Sequence, residues 1–261
     1  MTRFRKSQNS LSLVYGLNSV EAILEKSPET ISKVYFASKK KSPRLEKLIG
    51  LARQRGLKLE AVSDHELEQI SRSFQHQGIA ILARCPVPLG WSELRRLLEE
   101  RESVPKKSVI ILILDRIQDQ NNLGAIIRTA AGFSVDALII SKSNSAPYTA
   151  TTQRQSCGYG QNLPIITISN IPFLLLELKE KGFWVVGTAC HGRSLSSIYQ
   201  KKRQPFQKLV LVMGNEQEGM KDLIKKNCDE IIQIPLASGV DSLNVSVATG
   251  ICLFAYKSLL Q

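Results

Sequence analysis

The chain has 261 residues, enough for one large or two modest domains, and its 43% hydrophobic and 22% charged residues are ordinary for a globular protein. It contains no run of about 18 apolar residues, so a membrane span is not expected. The basic N-terminus lacks the apolar core of a signal peptide, which predicts a cytosolic protein. The net charge is +12, and residues 1–60 hold thirteen Lys or Arg but five Glu. Such a basic segment is typical of nucleic-acid binding, and also of a solvated surface.

The cysteines and histidines do not indicate a metal site or a disulfide framework. The three histidines do not cluster, and the cysteines are dispersed without a CxxC pair: Cys85, Cys157, Cys190, Cys228 and Cys252. Cys190 stands beside His191, but a strand end next to a surface loop explains that pair better than a ligand pair does. We expect no metal.

A first α/β domain is predicted over residues 1–84. Its helices are expected over residues 19–25, from Pro43 to about Arg55, and after Ser63, which forms a capping-box pattern with Glu66. Its strands are expected over residues 33–37, 57–62 and 78–84. A module of this size can fold alone.

Residues 85–107 are predicted to be a linker. Breakers of regular structure stand at 86, 88 and 90, and Pro105 marks a second break. Between them, residues 91–102 have the pattern of a short helix with Ser92 as its N-cap.

The second domain is predicted over residues 108–261, with an α/β fold and a parallel sheet. Apolar strands alternate with helical stretches, one of which has Asn170 as its predicted cap. The strands are expected over residues 108–115, 136–140, 164–168, 183–189, 209–213 and 231–234. A nicotinamide-binding fold is disfavoured, because the sequence from Gly158 to Gly160 lacks a third glycine and a preceding strand.

Three polar turns follow apolar strands of this domain, and ligands bind parallel sheets at the carboxyl ends of their strands. In the first turn, Gly124 and Arg128 are four residues apart, on one helical face. Glycine leaves room for a ligand there, and arginine offers donors for a phosphate or ribose oxygen. A surface salt bridge would also account for the arginine. We expect the three turns to share one site.

The second turn contains Gly214 and Glu216, and the third contains Ser242 and Asn244. Gly214 would let the backbone approach a flat ring, while Glu216 would order Arg128, bind substrate or only interact with a helix dipole. Ser242 and Asn244 would hold a ligand at a helix N-terminus, or cap the helix. The apolar residues that follow are expected in the core: Val245, Val247 and Ala248.

These three segments resemble the three motifs of the SpoU/TrmH family of RNA ribose 2′-O-methyltransferases, part of the SPOUT superfamily. The segments are LDRIQDQNNLGAIIRTAAGF, LVLVMGNEQEGM and IPLASGVDSLNVSVATGICLFAY. Near the start of the chain, GLNSVEAIL and HQGIA resemble the family's RNA-binding domain. The resemblance implies a parallel-sheet catalytic domain with a C-terminal trefoil knot, S-adenosylmethionine as cofactor, RNA as substrate and a homodimer.

The resemblance also assigns site residues. Arg128 is the implied catalytic arginine, held by Asn122, and either acts as a base or, since a guanidinium normally keeps its proton, positions a phosphate and stabilises alkoxide character. The other implied active-site residues are Glu216, Ser242 and Asn244. The implied cofactor-binding residues are Gly214, Ile234, Leu236 and Leu243.

The implied target is a guanosine of 23S rRNA. A tRNA ribose, a self-protecting rRNA methylation, and a non-catalytic RNA-binding or ribosome-assembly role on the same fold stay open. The chain departs from the family at Gln120, Gln161 and Gln217, where relatives commonly have proline, glutamate and glycine. None of these changes touches the implied catalytic residues.

Overall fold

The computed structural model describes residues 11–84, 88–102, 108–161, 163–196 and 207–260. These residues form two compact units. The described residues of 1–87 and 148–162 make up the first unit, and those of 88–147 and 163–261 make up the second. Part of the expected linker, residues 85–87 and 103–107, lies outside the described residues.

The first unit is built on a four-stranded mixed sheet in the order β1-β4-β2-β3. Its elements are β1 (Leu11–Tyr15), α1 (Leu17–Lys26), β2 (Ile31–Ala37), α2 (Pro43–Gln54), β3 (Leu59–Val62), α3 (Asp64–Ser71) and β4 (Ile79–Arg84). Strand β4 runs antiparallel to β1 and β2, while β2 and β3 are parallel. The sequence did not predict β1, because only Val14 of its five residues is buried and its periodicity is weak.

The capping box predicted for α3 is confirmed. The Ser63 hydroxyl accepts a hydrogen bond of 3.1 Å from the Glu66 N–H, and the Glu66 carboxylate accepts one of 2.7 Å from the Ser63 N–H. His76 is buried, and its Nδ1 accepts a hydrogen bond of 3.1 Å from the Gly78 N–H, so this histidine holds the turn before β4.

The second unit contains a six-stranded sheet in the order β10-β8-β9-β5-β6-β7, and all its strand pairs are parallel. The remaining elements of the chain are α4 (Trp91–Glu102), β5 (Val109–Leu114), α5 (Gln120–Gly132), β6 (Ala137–Ser141), α6 (Ala150–Gln155), β7 (Ile165–Ile168), α7 (Ile171–Glu180), β8 (Trp184–Ser194), β9 (Lys208–Met213), α8 (Asp222–Lys226), β10 (Glu230–Gln233) and α9 (Val245–Leu260). Every residue of the central strand β5 is buried, as expected for a sheet covered on both faces. The predicted α/β fold with a parallel sheet is confirmed.

The caps of α4 and α7 show one wrong prediction and one correct one. Helix α4 begins at Trp91, so Ser92 lies inside it and does not cap it; the Glu93 carboxylate instead accepts a hydrogen bond of 3.0 Å from the Gly90 N–H. Asn170 does cap α7, since its side-chain oxygen accepts a hydrogen bond of 3.1 Å from the Phe173 N–H.

Helix α4 packs its buried Leu94 and Leu98 into the core of the second unit. Just before it, Leu89 pairs with the edge strand β7: its N–H donates to the Ile165 carbonyl (2.7 Å) and its carbonyl accepts from the Thr167 N–H (3.0 Å). The chain therefore covers one edge of the sheet before the first strand of that sheet begins.

Helix α6 belongs to the first unit although it follows β6 in the chain. The Arg154 guanidinium donates to the Tyr15 hydroxyl. Gly158 has a left-handed φ of 76°, and a Cβ at this position would lie 3.4 Å from the Cβ of Ala22 and 3.1 Å from the Ser19 carbonyl oxygen. Gly158 thus serves the packing against α1.

Helix α9 corrects the prediction that Val247 lies in the core. Val245 is buried and Ala248 is only partly buried, but 51% of Val247 is exposed, because Val245 and Val247 lie on different faces of the helix. No helix within the described ranges is long and apolar enough to cross a membrane.

Candidate active site

A chain of side-chain hydrogen bonds joins the three predicted motifs. The Asn244 amide donates to the side-chain oxygen of Asn122 (2.9 Å), and the Asn122 amide donates to the Glu216 carboxylate (2.7 Å). These residues lie next to α9, on α5 and after β9 respectively. The structure therefore brings together Asn122, Glu216 and Asn244, as the sequence predicted for one shared site.

Local helix capping fixes both asparagines. The Asp119 carboxylate caps α5 by accepting hydrogen bonds from the N–H groups of Asn121 and Asn122 (2.5 and 3.2 Å). Asn244 caps α9, since its side-chain oxygen accepts a hydrogen bond of 2.9 Å from the Ser246 N–H. With that oxygen engaged, only the amide nitrogen of Asn244 is left to meet Asn122.

Gln120 occupies the first position of α5. Proline is favoured there because that N–H has no intrahelical partner, and glutamine is equally compatible with the helix. Gln120 is therefore compatible with the observed start of α5.

The second motif forms a tight turn between Asn215 and Gly219, whose backbones exchange hydrogen bonds of 3.1 and 2.9 Å. The Asn215 side-chain oxygen accepts from the N–H groups of Gln217 and Glu218, and its amide donates to the Arg116 carbonyl (2.8 Å). This network fixes the turn with glutamine at 217. The side chain of Gln161, the third departure, lies outside the described residues.

Arg116 ties this turn to the first motif, and the sequence analysis missed it. Its guanidinium forms an ion pair with Glu218 and donates to the Gly219 carbonyl (3.2 Å). Its own N–H donates to the Ser141 hydroxyl at the end of β6 (3.0 Å). Arg116 has a φ of 60°, an uncommon backbone conformation for a residue with a side chain.

A cavity of about 800 Å³ opens beside the polar network. This volume lies in the range of small-molecule and cofactor sites, roughly 300–1,000 Å³. The four predicted cofactor-binding residues all line it: Gly214, Ile234, Leu236 and Leu243. Glu216 and Ser242 also line it, whereas Asn122, Asn244 and Arg128 are not among its described lining residues. The cavity is large enough for a small organic cofactor and has both apolar and polar lining residues.

The turn of the second motif itself requires glycine at position 214. A Cβ at this position would lie 2.3 Å from the Met220 nitrogen and 2.5 Å from the Gly219 carbonyl carbon, both backbone atoms. The missing side chain lets the second motif fold back on itself, and this fold shapes the cavity wall.

Residues from β8 also line the cavity, and the sequence analysis missed them: Thr188, Ala189, Cys190 and His191. Their position follows from an irregular register. Ile231 of β10 pairs with Gly187, but the next residue, Ile232, pairs with Arg193. The residues in between bulge out of the ladder toward the cavity. The available signal was a run of small and polar residues directly after the buried residues 185–187.

Arg128 lies exposed on α5, four residues after the buried Gly124. It stands six positions after Asn122, so the two side chains leave the helix on different sides. The two side-chain hydrogen bonds of Asn122 described above run to Glu216 and Asn244. The idea that Asn122 or Glu216 holds Arg128 stays a prediction.

A parallel sheet with a ligand-sized cavity and converging polar side chains at its carboxyl edge defines an α/β enzyme that binds an organic cofactor at that edge. The SpoU rRNA Methylase family model matches residues 109–254, and the model for RNA 2′-O ribose methyltransferase substrate binding matches residues 13–86. The chain belongs to the SpoU rRNA methylase family, whose members are RNA ribose 2′-O-methyltransferases that use S-adenosylmethionine.

Curated relatives match nearly the whole chain. It is 36% identical to the 23S rRNA (guanosine-2′-O-)-methyltransferase RlmB of Vibrio vulnificus over 245 residues, 94% of this chain and 96% of the relative. It is also 36% identical to RlmB of Escherichia coli K12, over 93% of this chain and 96% of that relative.

Solved structures of RNA methyltransferases share the fold of this chain. The AdoMet-bound rRNA methyltransferase of Sinorhizobium meliloti superposes with a TM-score of 0.71 at 25% identity, covering 96% of this chain and 88% of that one. A structure described as an RNA 2′-O ribose methyltransferase gives a TM-score of 0.76 at 21% identity, covering 97% and 90%, and supports the fold.

Proposed function

We propose that this protein transfers a methyl group from S-adenosylmethionine to the 2′-hydroxyl of a guanosine ribose in 23S rRNA. The observation that carries the proposal is the hydrogen-bonded chain Asn244–Asn122–Glu216, which joins all three family motifs beside a cofactor-sized cavity. The guanosine target is taken from the RlmB relatives, which match over 93–94% of the chain.

Some residues of the site would bind the cofactor, and others would position the RNA. S-adenosylmethionine supplies an electrophilic methyl group bonded to a sulfonium sulfur, and its leaving group is a neutral thioether. Gly214, Ile234, Leu236 and Leu243 would hold the cofactor, with Ser242 near its reactive end. The 2′-hydroxyl would release its proton to solvent water as its oxygen bonds to the methyl carbon and the bond from that carbon to sulfur breaks. A protonated Arg128 would hold the adjacent phosphate and stabilise the developing alkoxide, while the asparagine chain keeps the motifs in register.

The test is methyl transfer from tritium-labelled S-adenosylmethionine into total rRNA and tRNA. We expect label in large-subunit rRNA at one ribose, seen as resistance of one linkage to alkaline cleavage, and near-total loss with Arg128→Ala. Arg95→Ala is the matched control, because Arg95 is an exposed arginine of the same unit that pairs with Glu177. Label in tRNA would overturn the target. No label, with RNA binding retained, would favour the non-catalytic alternative.

The division of labour follows the expected domains. Residues 1–84 would bind RNA and residues 108–261 would carry catalysis, with residues 85–107 between them. Within these bounds, α4 packs into the core of the second unit and residues 148–162 belong to the first. The basic first sixty residues and the substrate-binding match over residues 13–86 support this assignment. Gel-shift binding of 23S rRNA fragments to the full chain and to variants with neutralised lysines in the first unit tests it.

We also propose the homodimer and the trefoil knot of the family, in a cytoplasmic protein. Phe254 of α9 is 64% exposed and Val247 is 51% exposed, an apolar exposure that a partner subunit would cover. Sedimentation of the wild type beside Phe254→Asp tests the dimer, since a buried charge would dissociate it. Backbone tracing of the C-terminal segment in an experimental density map tests the knot.

The proposed enzyme uses no metal. The structure does bring Asp64, Glu68 and His76 together, with possible ligand atoms within 4.8 Å of one another. However, Nδ1 of His76 accepts a hydrogen bond from the Gly78 N–H, so the neutral ring carries its proton on Nε2 and has no free lone pair for a cation. Elemental analysis of the purified protein, with and without added zinc, tests this expectation.

A further inference from the structure

We propose that Phe74 is a stacking platform for an unpaired RNA base, and that nearby lysines and an arginine hold the phosphates that flank this base. The proposal rests on the RNA-methylating function above and deepens it, since it states what kind of RNA the first unit recognises. Phe74 is 85% exposed, the highest exposure among the large apolar side chains described. An exposed aromatic ring offers a flat face on which a nucleic-acid base can stack.

The loop that carries Phe74 has an unusual backbone. Arg72 and Gln77, on either side of it, adopt left-handed conformations with φ of 51° and 55°. Residues with side chains rarely adopt this conformation, and such strain persists where the surrounding structure enforces it. Between them, the Ser73 hydroxyl accepts a hydrogen bond of 3.1 Å from the Gln75 N–H. The loop is therefore a defined structure that presents its aromatic ring to solvent.

The fold places a lysine-rich turn beside this loop. The Ala37 N–H at the end of β2 donates to the Gly78 carbonyl (2.9 Å), so the turn of residues 38–41 and the loop of residues 72–78 lie at the same end of the sheet. The side chain of Lys40 lies over Gly78, where an added Cβ would come within 2.9 Å of its Cδ. We call this end of the first unit the basic loop end.

Four exposed cations mark the basic loop end, and none of them takes part in an ion pair within the described ranges: Lys39, Lys40, Lys41 and Arg72. Three other cations of the first unit do pair with carboxylates: Lys33 with Glu60, and Arg44 and Lys47 with Glu21. On one side, Asp64 and Glu68 lie beside His76 and bound the positive surface with negative charge.

An exposed aromatic ring among unpaired cations fits single-stranded or looped RNA. Paired bases hide their faces in the helix, whereas an unpaired base can stack on a ring while the cations neutralise its flanking phosphates. A protein partner of acidic character would be attracted by the lysines but would give the ring no base to stack on. The chemistry thus favours an RNA loop, bulge or end.

The test measures binding of the full-length protein to two RNA probes without S-adenosylmethionine. One is a hairpin whose loop carries 2-aminopurine, and the other is a fully paired duplex with the sequence of the hairpin stem. We expect Phe74→Ala to weaken hairpin binding by roughly five- to 150-fold and to abolish the quenching of 2-aminopurine, with duplex binding unchanged. Phe74→Tyr should bind like the wild type, because it keeps the ring.

The lysines should behave differently from Phe74. Lys39→Gln, Lys40→Gln and Lys41→Gln should weaken both probes alike, and each should lower the slope of log K against log salt by about 0.7–0.9 if its phosphate contact is made. Phe173→Ala is the control for removing an exposed phenylalanine, since Phe173 is 56% exposed on α7 of the second unit. An unchanged melting temperature of Phe74→Ala establishes that the fold is intact.

Three results would overturn the proposal. Phe74→Ala could bind the hairpin as tightly as the wild type does, or it could lose equal affinity for the hairpin and the duplex. The third result is a wild-type protein that binds neither probe. None of these depends on methyl transfer. A protein that binds the hairpin through Phe74 but labels no RNA contradicts only the proposed function. A protein that labels rRNA with Phe74→Ala binding normally contradicts only this inference.

Discussion

The Asn244 amide donates a hydrogen bond of 2.9 Å to the side-chain oxygen of Asn122, across 122 positions of sequence. Each side-chain amide in the hydrogen-bonded series Asn244–Asn122–Glu216 has one possible orientation. Asn244 uses its oxygen to cap α9, so its nitrogen must face Asn122, and Asn122 must then turn its own nitrogen to Glu216. A substitution that replaces one of these hydrogen-bond donors by an acceptor therefore disturbs all three motifs.

Asn122→Asp is expected to lower the rate of methyl transfer about a hundredfold, the scale of a misplaced catalytic group. The aspartate loses the donor and puts a second carboxylate beside Glu216, where the present distance is 2.7 Å. S-adenosylmethionine affinity, measured by calorimetry, should change little. Asn170→Asp is the control, because aspartate caps α7 as asparagine does. A wild-type rate for Asn122→Asp would mean that the hydrogen-bonded chain has no catalytic role.

The sequence predicted most helices and strands of this chain, because apolar periodicity, Asn170 and the Ser63–Glu66 pair are local signals. It grouped the motifs correctly, since parallel strands must end at one edge. It did not predict that Glu216 meets Asn122, which lies 94 positions away, because such a pair depends on tertiary packing. For the same reason it missed Arg116 and the packing of α6 on the first unit.

Gly214→Ala is expected to weaken S-adenosylmethionine binding at least tenfold. The added methyl group would collide with the backbone of Met220 at 2.3 Å, and a backbone cannot move aside as a side chain does. The turn would shift and change the cavity wall. Gly132→Ala is the matched control in the same unit, since nothing lies within 4 Å of its added Cβ. Calorimetric titration measures both, and equal affinities would contradict this account of Gly214.

S-adenosylmethionine is expected to protect Cys190 from alkylation. Cys190 is exposed and lines the cavity, so a bound cofactor would shield its sulfur. Cys252 should label slowly with or without the cofactor, because burial raises the pKa of its thiol to about 12 and leaves little thiolate. Mass spectrometry of peptides after a short iodoacetamide pulse gives each rate. Equal labelling of Cys190 with and without cofactor would place the cofactor elsewhere.

Gly158→Ala is expected to destabilise the protein by about 2–4 kcal/mol. About 1 kcal/mol comes from the left-handed backbone, and the rest from the clash with Ser19 and Ile23 of α1. Gly56→Ala separates the two causes, because Gly56 has a similar φ of 66° but nothing within 4 Å of an added Cβ. It should lose only the backbone part. Equal losses in urea unfolding would argue against the packing of this segment on α1.

The capping box of α3 is expected to make stability depend on acid pH. The backbone N–H and then the hydroxyl of Ser63 donate to the ionised Glu66 carboxylate and hold its pKa below the ordinary value of 4.5. A carboxylate with a lowered native pKa stabilises the fold above its unfolded pKa, and this contribution is lost as pH falls through the native value.

The difference in melting temperature between wild type and Glu66→Ala should therefore be constant near neutral pH and shrink below about pH 4. Glu66→Gln is the control, because its amide oxygen can still accept from the Ser63 N–H but does not titrate, so its difference from Glu66→Ala should not change with pH in this way. A Glu66→Ala difference that persists at low pH would mean that Glu66 acts through packing and not through its charge.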